Sequence, residues 1–324
     1  MRFELSPEQR DFAGALDRLV AGADPVGVAR AWASGDTGPG LALWHRLAEQ
    51  GVHALLVPEH AGGVGATPVE LVVALEVLGR HAIPGPWAES VGYLPLALAD
   101  TGTLSDLAGG AVGTVSVPPE TPYALDAHAA DHVFVLRDGA LHTAVASRPA
   151  RSIDPVRHLH LVEAREKVAT ADVPAAFATA VLATAAQLLG AGERLLGEAV
   201  GYARQRRQFG REIGSYQAVK HKLADVRIAL DFARPLVLGA ALGDVPASAA
   251  KVAAADAAHL ASRAALQVHG AIGYTAEHDL SLWLLRVRAL VAAWGTPARH
   301  RDRLLRSLVG PAARAAETVG SEGT

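Results

Sequence analysis

The sequence predicts a mostly α-helical protein with a central β domain, in the chain order helical, β, helical. Three observations carry that prediction. Hydrophobic residues make up 50% of the chain and aromatic residues only 5%, a balance that suits closely packed helices better than aromatic-rich sandwiches. Residues 1–108 and 174–324 hold long stretches of helical periodicity with capping signals. Residues 109–173 instead break into short β-prone runs separated by Gly, Pro and Asp. No alternating βαβ pattern is present, and no Gly-x-Gly-x-x-Gly or P-loop spacing stands in the right context, so a nucleotide would not be held in a Rossmann manner.

Taken in order, Ser6-Pro7-Glu8-Gln9 reads as a helix start, because Ser6 can cap, Pro7 suits the first turn and Gln9 can complete a capping box. That helix is predicted to reach about Ala21. Further helices are predicted at 41–50, stopped by Gly51, at 68–81 and at 87–100. Gly113-Thr-Val-Ser-Val, His132-Val-Phe-Val-Leu and Ala140-Leu-His-Thr-Ala-Val-Ala read as strands of a small β-barrel or sandwich. After Pro174 the spacing predicts helices at 175–205, 215–242, 247–270, 277–293 and 298–309, a C-terminal bundle with the Ala-rich stretch Ala175 to Leu189 in its core.

The formal net charge is -3, with acidic and basic residues interspersed, which disfavours nucleic acid and anionic membranes as partners. The absence of cysteine excludes disulfides, thiolate nucleophiles and cysteine-held metals. Met1-Arg2-Phe3-Glu4-Leu5 carries acid and runs straight into a helix start, without the apolar stretch of a secretory leader. The apolar run Val181 to Gly190 is interrupted by Gln187 and too short to span a bilayer. These features predict a cytoplasmic protein with no membrane insertion.

The most informative stretch runs from Gly201 to Asp225, with Arg204, Arg206, Arg207 and Arg211 around Phe209 and Gly210. One reading is a helix C-terminus enriched in cations, with Phe209 buried beneath the turn. The other is an anion site, in which guanidinium forks grip a diphosphate while Phe209 packs on a planar ring. Arg206-Arg-Gln208-Phe209-Gly210, then Gln217-Ala-Val and Leu223-Ala-Asp225, resembles the signature of the acyl-CoA dehydrogenase family. A second family motif, Gln-x-His-Gly-Gly-x-Gly-Tyr followed by Glu, is matched by Gln267-Val-His-Gly270-Ala-Ile-Gly273-Tyr274-Thr-Ala-Glu277. The N-terminal stretches Leu43-Trp-His-Arg-Leu-Ala-Glu-Gln-Gly51 and Val57-Pro-Glu-His-Ala-Gly-Gly-Val-Gly65 are similar to a third family block.

The resemblance covers nearly the whole chain and implies the family's fold: an N-terminal helical domain (1–108), a middle β domain (109–173) and a C-terminal four-helix bundle (174–324). It implies FAD as cofactor, with Arg206 and Gln208 on the flavin diphosphate, Phe209 on its ring system, and Gln217, Gln267 and Gly270 at the adenosine or diphosphate end. Thr296, in the family's Gly-Thr pair, belongs to the same implied set. These contacts reach across a subunit interface in the family, so oligomerisation is part of the binding mode. The implied reaction is α,β-dehydrogenation of an acyl-CoA thioester to the trans-2-enoyl-CoA, with an electron-transfer flavoprotein taking the electrons.

The same resemblance exposes a loss. The family's usual catalytic Glu falls at Trp294 in Ala292-Ala293-Trp294-Gly295-Thr296, and an indole cannot abstract a proton. A minority position near Leu238–Leu242 holds no carboxylate. Asp231 reads as solvated or paired with Arg234, and neither Glu277 nor Asp279 is a convincing base, which leaves the catalytic residue unknown. The family's flavin-facing β segment also has no clear counterpart in Thr114–Tyr123. Losses on the reactive side alone predict a second, catalytically complete dehydrogenase subunit in an α2β2 assembly, similar to actinobacterial enzymes that act on bulky steroid-derived CoA thioesters. Two alternatives stand beside it: flavin-dependent oxygenation or other diverted chemistry in secondary metabolism, and a non-catalytic structural subunit.

His158 and His160 have a spacing that places two imidazoles on one strand face, but no third ligand accompanies them in the sequence, so no metal is predicted. Tyr216 and His221 flank Gln217 and read as packing or nucleotide support.

Overall fold

In the computed structural model of the chain, residues 4–275 and 277–320 are described, with side chains as far as Val309. Met1, Arg2 and Phe3, which enter the prediction of a leaderless start, lie outside the described residues, as do Ala276 in the second motif and residues 321–324. The N-terminal part contains α1 (Pro7–Ala21), α2 (Pro25–Ala33), α3 (Gly38–Glu49) and α4 (Pro68–Arg80). Ser6 and Gln9 form the predicted capping box, the Ser6 hydroxyl accepting from the Gln9 N–H at 3.2 Å and the Gln9 carboxamide accepting from the Ser6 N–H at 2.9 Å. Thr67 and Glu70 make a second box at α4, and Gln9 donates to Glu70 at 2.8 Å. The two caps thus fasten two helix starts to each other.

The helix predicted over 87–100 is instead a π-helical turn, Ala88–Tyr93, followed by the short α5 (Leu94–Ala97). Pro95 has no N–H to continue an α-helical ladder, and the wider turn carries Glu89, Ser90 and Tyr93 into the interior. α2 and α6 (Thr101–Ala108) add to the predicted helices. Each starts on an aspartate cap, Asp24 accepting from the Gly27 N–H at 3.1 Å and Asp100 from the Thr103 N–H at 2.8 Å.

β1 (Gly113–Ser116), β2 (Ala124–Leu125), β3 (His132–Arg137), β4 (Ala140–Ala150) and β5 (Leu159–Lys167) form a single sheet in the order β1-β3-β4-β5-β2. The sheet is antiparallel except for β1 beside β3. It curls until its two edge strands meet, so it is a rolled sheet rather than a two-sheet sandwich. The β2 pairing sets Ala124 opposite His160 and Leu125 opposite Leu159, which brings the chain after β2 beside the start of β5.

The remaining chain is helical apart from one hairpin: α7 (Val173–Gln205), β6 (Arg207–Gln208), β7 (Arg211–Glu212), α8 (Gln217–Ala241), α9 (Ala247–His269), α10 (Leu280–Ala292) and α11 (Pro297–Gly320). α7 through α10 pack as a bundle, and α11 lies on α9. At 33 residues α7 is longer than the apolar run the sequence suggests and, by length and composition, could cross a membrane; 67% of its most apolar stretch is buried, against α4, α8, α9 and α10. α4 and α7 cross in backbone contact. A Cβ on Gly190 would lie 1.9 Å from the Glu76 carbonyl oxygen, and one on Gly79 would lie 2.2 Å from the Gln187 carbonyl oxygen. Only glycine fits on either side of this crossing.

All five tryptophans are at most 2% exposed, and each buried indole N–H finds an acceptor, as its desolvation requires. Trp32 donates to Asp126, Trp44 to the Gly110 carbonyl, Trp87 to the Pro84 carbonyl, Trp283 to the Arg80 carbonyl and Trp294 to Glu89. Most of these bonds join residues far apart in sequence, so they tie the three parts of the chain together. A buried ion pair does the same, Arg286 of α10 donating to Asp154 at 2.6 Å and to the Ile83 carbonyl at 3.0 Å.

Gly190→Ala is expected to destabilise the protein by about 3 kcal/mol or more, because an added Cβ must push two backbones apart. Gly197→Ala, on the same helix with open space at its Cβ position, is expected to be neutral or slightly stabilising. Urea midpoints of the two variants would reveal this contrast, and equal midpoints would contradict the tight crossing.

Candidate functional site

The Arg-rich motif does not form a helix C-cap at Gly210. α7 stops at Gln205, and the chain turns into the hairpin β6–β7, with Phe209 and Gly210 as its two turn residues. Both have positive φ, 52° and 80°, as a type I′ hairpin turn demands. Phe209 is therefore not buried beneath a turn: it stands at the hairpin tip, 93% exposed. Arg206, Arg207, Gln208 and Arg211 are exposed around it. Tyr216 supports the hairpin, donating to the Gln208 carbonyl at 3.3 Å while the Arg211 guanidinium lies 3.9 Å from its ring centre. His221 is exposed one helical turn further on.

The second motif converges on the same end of the bundle. Tyr202, near the end of α7, stacks on His269, the last residue of α9, at 4.4 Å between ring centres. Gln217 opens α8 there. Gln267 and Gly270 line a cleft of about 590 Å³ with Lys222, Arg263, Leu266 and Tyr274. Gly270 adopts φ 65° and has open space where a side chain would be. The cations Lys222 and Arg263 were not singled out in the sequence, although Arg263 and Gln267 are four apart and so share a helix face. This end offers exposed aromatic rings, fixed backbone turns and several cations, a set suited to a flat ring joined to a diphosphate.

Thr296 lies elsewhere. Lys251 and Gln267 are both on α9, sixteen residues apart, so about 24 Å of helix separates their levels. Lys251 is at the level of Trp294, its ammonium donating to the Leu290 and Ala293 carbonyls at 2.7 Å each. One chain therefore cannot bring Thr296 to the cleft that holds Gln267 and Gly270.

At that opposite end Trp294 sits in a left-handed conformation, φ 56°, and points inward. Its indole N–H donates to Glu89 at 3.1 Å, and its ring packs 5.2 Å from Tyr93 and 5.8 Å from Phe177. The space shared by Trp294, Trp87, Glu89, Arg157 and Gln187 leaves no room for a water molecule. Burial pushes the Glu89 carboxyl above the usual carboxylate range, even with Arg157 nearby, and raises the Tyr93 hydroxyl to about 12. The carboxylate that meets the base position is thus enclosed and bonded to an indole. His300 holds the turn from outside, contacting the Trp294 carbonyl at 3.0 Å and Ser248 at 3.0 Å. Glu120, in the segment after β1, pairs with Arg299 at 2.9 Å and Arg303 at 2.5 Å, closing the β domain over this turn.

The other carboxylates weighed as bases are surface groups. Asp231 pairs with Arg227 at 2.8 Å and not with Arg234, which reaches Glu76 and Glu193 instead. Asp279 pairs with Arg30 at 2.7 Å, and Arg30 also donates to the Glu277 carbonyl.

The histidine pair has more company than its sequence neighbourhood suggests. The chain leaving β2 places Asp126 and His128 beside His158, and candidate ligand atoms of these three residues lie within 4.8 Å of one another. The expectation that no third ligand accompanies His158 is corrected by this contact. Its signal was present in the sequence as Asp126-Ala127-His128, but only the register of β2 with β5 joins it to His158.

Fold and linear motifs together define an oxidoreductase of a flavin-dependent class. The family model for the acyl-CoA dehydrogenase N-terminal domain matches residues 6–103, and the model for its C-terminal domain matches residues 173–309. The chain belongs to the acyl-CoA dehydrogenase family. It is 34% identical over 310 residues to the acyl-CoA dehydrogenase IpdE2 of Mycobacterium tuberculosis, covering 92% of this chain and 96% of the relative. In fold it is similar to a chain of the ChsE4-ChsE5 complex from Mycobacterium tuberculosis, with TM-score 0.78, 23% identity, and 95% and 99% of the two chains covered. A chain of the Tcur3481-Tcur3483 steroid acyl-CoA dehydrogenase superposes with TM-score 0.80 at 21% identity, covering 94% and 99%.

Burial lowers the His300 imidazole from 6.5 to about 4. Between those values the unfolded chain binds a proton that the folded chain does not, so stability falls as pH drops from 6.5 towards 4. The contribution is about 3 kcal/mol over that window. His300→Gln is expected to be less stable at pH 7 but to show a shallower loss on acidification, measurable as denaturation midpoints across the window. An unchanged slope would remove His300 as its cause.

Proposed function

We propose that this chain is the base-lacking subunit of a hetero-oligomeric, FAD-dependent acyl-CoA dehydrogenase, acting with a catalytically complete partner on a bulky, steroid-derived acyl-CoA. The observation that carries this reading is the contrast between the two ends of the bundle. At one end the chain keeps an exposed Phe209 on a rigid hairpin and a cationic cleft at Gln267 and Gly270. At the other end the base position is filled by Trp294, and the space it shares with Trp87, Glu89, Arg157 and Gln187 has no room for water. Arg206, Gln208, Phe209, Gln217, Gln267 and Gly270 would hold a flavin whose reacting side faces the partner. Thr296, exposed at the other end next to the buried Trp294, would reach a flavin shared across the subunit interface rather than the one at Gln267 and Gly270.

A bound flavin supplies the acceptor for the β-hydride. The partner supplies the carboxylate that takes the α-proton, because this chain presents none at the required place. Phe232 and Ile228, one turn apart on α8, are 74% and 52% exposed, an apolar strip of the kind that subunit contacts cover. An α2β2 assembly in the cytoplasm, with electrons passed to an electron-transfer flavoprotein, completes the proposal. The steroid-derived substrate rests on the likeness to a steroid acyl-CoA dehydrogenase in a two-component assembly. Residues 1–108, 109–173 and 174–324 are proposed as the domains of the subunit.

Expression of the chain alone and with a dehydrogenase that carries the missing Glu separates the readings. The expected result is colourless protein alone, and a yellow mixed oligomer, bleached anaerobically by acyl-CoA, on co-expression. Phe209→Ala is expected to weaken flavin retention by the complex about tenfold, and Arg206→Ala by about as much or more. A yellow homo-oligomer that oxidises acyl-CoA would overturn the proposal; flavin content untouched by both substitutions would restrict the chain to a structural role.

A further inference from the structure

On the β-domain side of Arg157, which also borders the space beside Trp294, the chain after β2 and the start of β5 bring together Asp126, His128, His158 and His160. Asp126 is fully buried. Its Oδ1 is satisfied twice, by the Trp32 indole N–H at 3.1 Å and the His158 backbone N–H at 3.1 Å. Its Oδ2 is buried without any hydrogen-bond partner, and so are the Nδ1 atoms of His158 and His160. Buried polar atoms without a hydrogen bond are expensive, since each forfeits water; His158 Nδ1 is partly compensated by Asp126 Oδ1 at 3.5 Å, while Asp126 Oδ2 and His160 Nδ1 make no hydrogen bond. The His128 ring centre lies 4.9 Å from that of His158 and 5.2 Å from that of His160. A cavity of about 500 Å³ opens beside the three histidines, with Arg151 and Arg157 also in its lining.

We propose that Asp126, His128 and His158 bind one divalent first-row transition ion, zinc in the first instance, with His160 as a fourth donor or as support for the ring of His128. One carboxylate and two or three imidazoles are the donors such ions prefer, whereas calcium would need six or more oxygens. The donor atoms already lie within 4.8 Å of one another, a span that coordination bonds of about 2 Å can bridge with small side-chain movements. With three protein donors, at least one coordination position faces the cavity and would carry water or an anion. The ion would satisfy the orphaned oxygen of Asp126. Because Asp126 also accepts from Trp32 of α2, the site would pin the first helical part of the chain to the rolled sheet. The alternative occupant of the same geometry is a simple ion pair, His158 to Asp126 at 3.5 Å, which would need no metal.

The test uses tag-free full-length protein, stripped with a chelator and titrated with zinc against a chromophoric competitor, with metal analysis after desalting. One zinc per chain is expected, together with a higher thermal midpoint in its presence. His128→Ala alters an exposed side chain and is expected to weaken zinc binding at least about tenfold. Asp126→Asn keeps an oxygen for Trp32 and the His158 N–H but removes the ligand, and is expected to lose the ion. His221→Ala, an exposed histidine at a distance, is expected to bind like the unaltered protein. No zinc retained after desalting, or retention equal in all these proteins, would overturn the site and leave the ion pair as the explanation. Flavin content plays no part in the readout, so this result stands apart from the dehydrogenase proposal.

Discussion

The backbone crossing of α4 and α7 at Gly79 and Gly190 sets the distances on which the rest of the molecule depends. With no Cβ on either side, the two helices meet carbonyl to Cα, and their side chains must interdigitate around that point. The crossing brings Glu76 of α4 and Glu193 of α7 within reach of one guanidinium. Arg234 of α8 holds Glu76 with two bonds of 2.8 Å and Glu193 with one of 3.1 Å, while Arg227 holds Glu193 with bonds of 2.8 and 2.7 Å. Two carboxylates forced together would repel without these cations. The glycine contact and the charge network are therefore one device, which locks the N-terminal helices, α7 and α8 in a single arrangement.

That arrangement gives the bundle two chemically different ends. Where α7 ends and α8 begins, the chain exposes an aromatic hairpin tip and cations, groups with no use in a monomer's core. Where α7 and α9 begin, it does the opposite. Phe177 and Tyr93 pack on Trp294, which donates to Glu89, and Lys251 and His300 fasten the surrounding carbonyls. A Trp in a left-handed conformation is strained and persists only where its surroundings fix it. Here the indole bond to Glu89, the aromatic packing and the tie from His300 all act on that one residue. The space beside Glu89 has become core while the hairpin end stays exposed, the contrast on which the proposed shared enzyme rests.

Much of this was legible in the sequence because it depends on local physics. A capping box announced α1, apolar periodicity announced α4 and α7 to α10, and Gly- and Pro-broken β runs announced the sheet. The linear motifs, through the family resemblance, pointed to Arg206, Gln208, Phe209, Gln217, Gln267, Gly270 and Thr296, and set Trp294 where the usual Glu would stand. The π-helical turn was not legible, since a helix that widens before Pro95 has the same periodicity as one that does not over so few residues. Nor were α2 and α6, each too short for periodicity to outweigh the Gly and Asp around it.

By itself the sequence determined the fold class and the order of the elements, because propensity and capping are properties of neighbours along the chain, and its family resemblance set Trp294 where the usual Glu would stand. Tertiary structure alone decided that Phe209 stands in solvent at a hairpin tip, that Trp294 fills the space beside Glu89, that Thr296 is remote from Gln267, and that Asp126 meets His158. Apart from the local Phe209 hairpin, whose paired residues are at most five apart, each of these depends on pairing or packing between segments tens to hundreds of residues apart. No local pattern encodes which distant backbone will arrive at a given face, and only the closed fold brings it there.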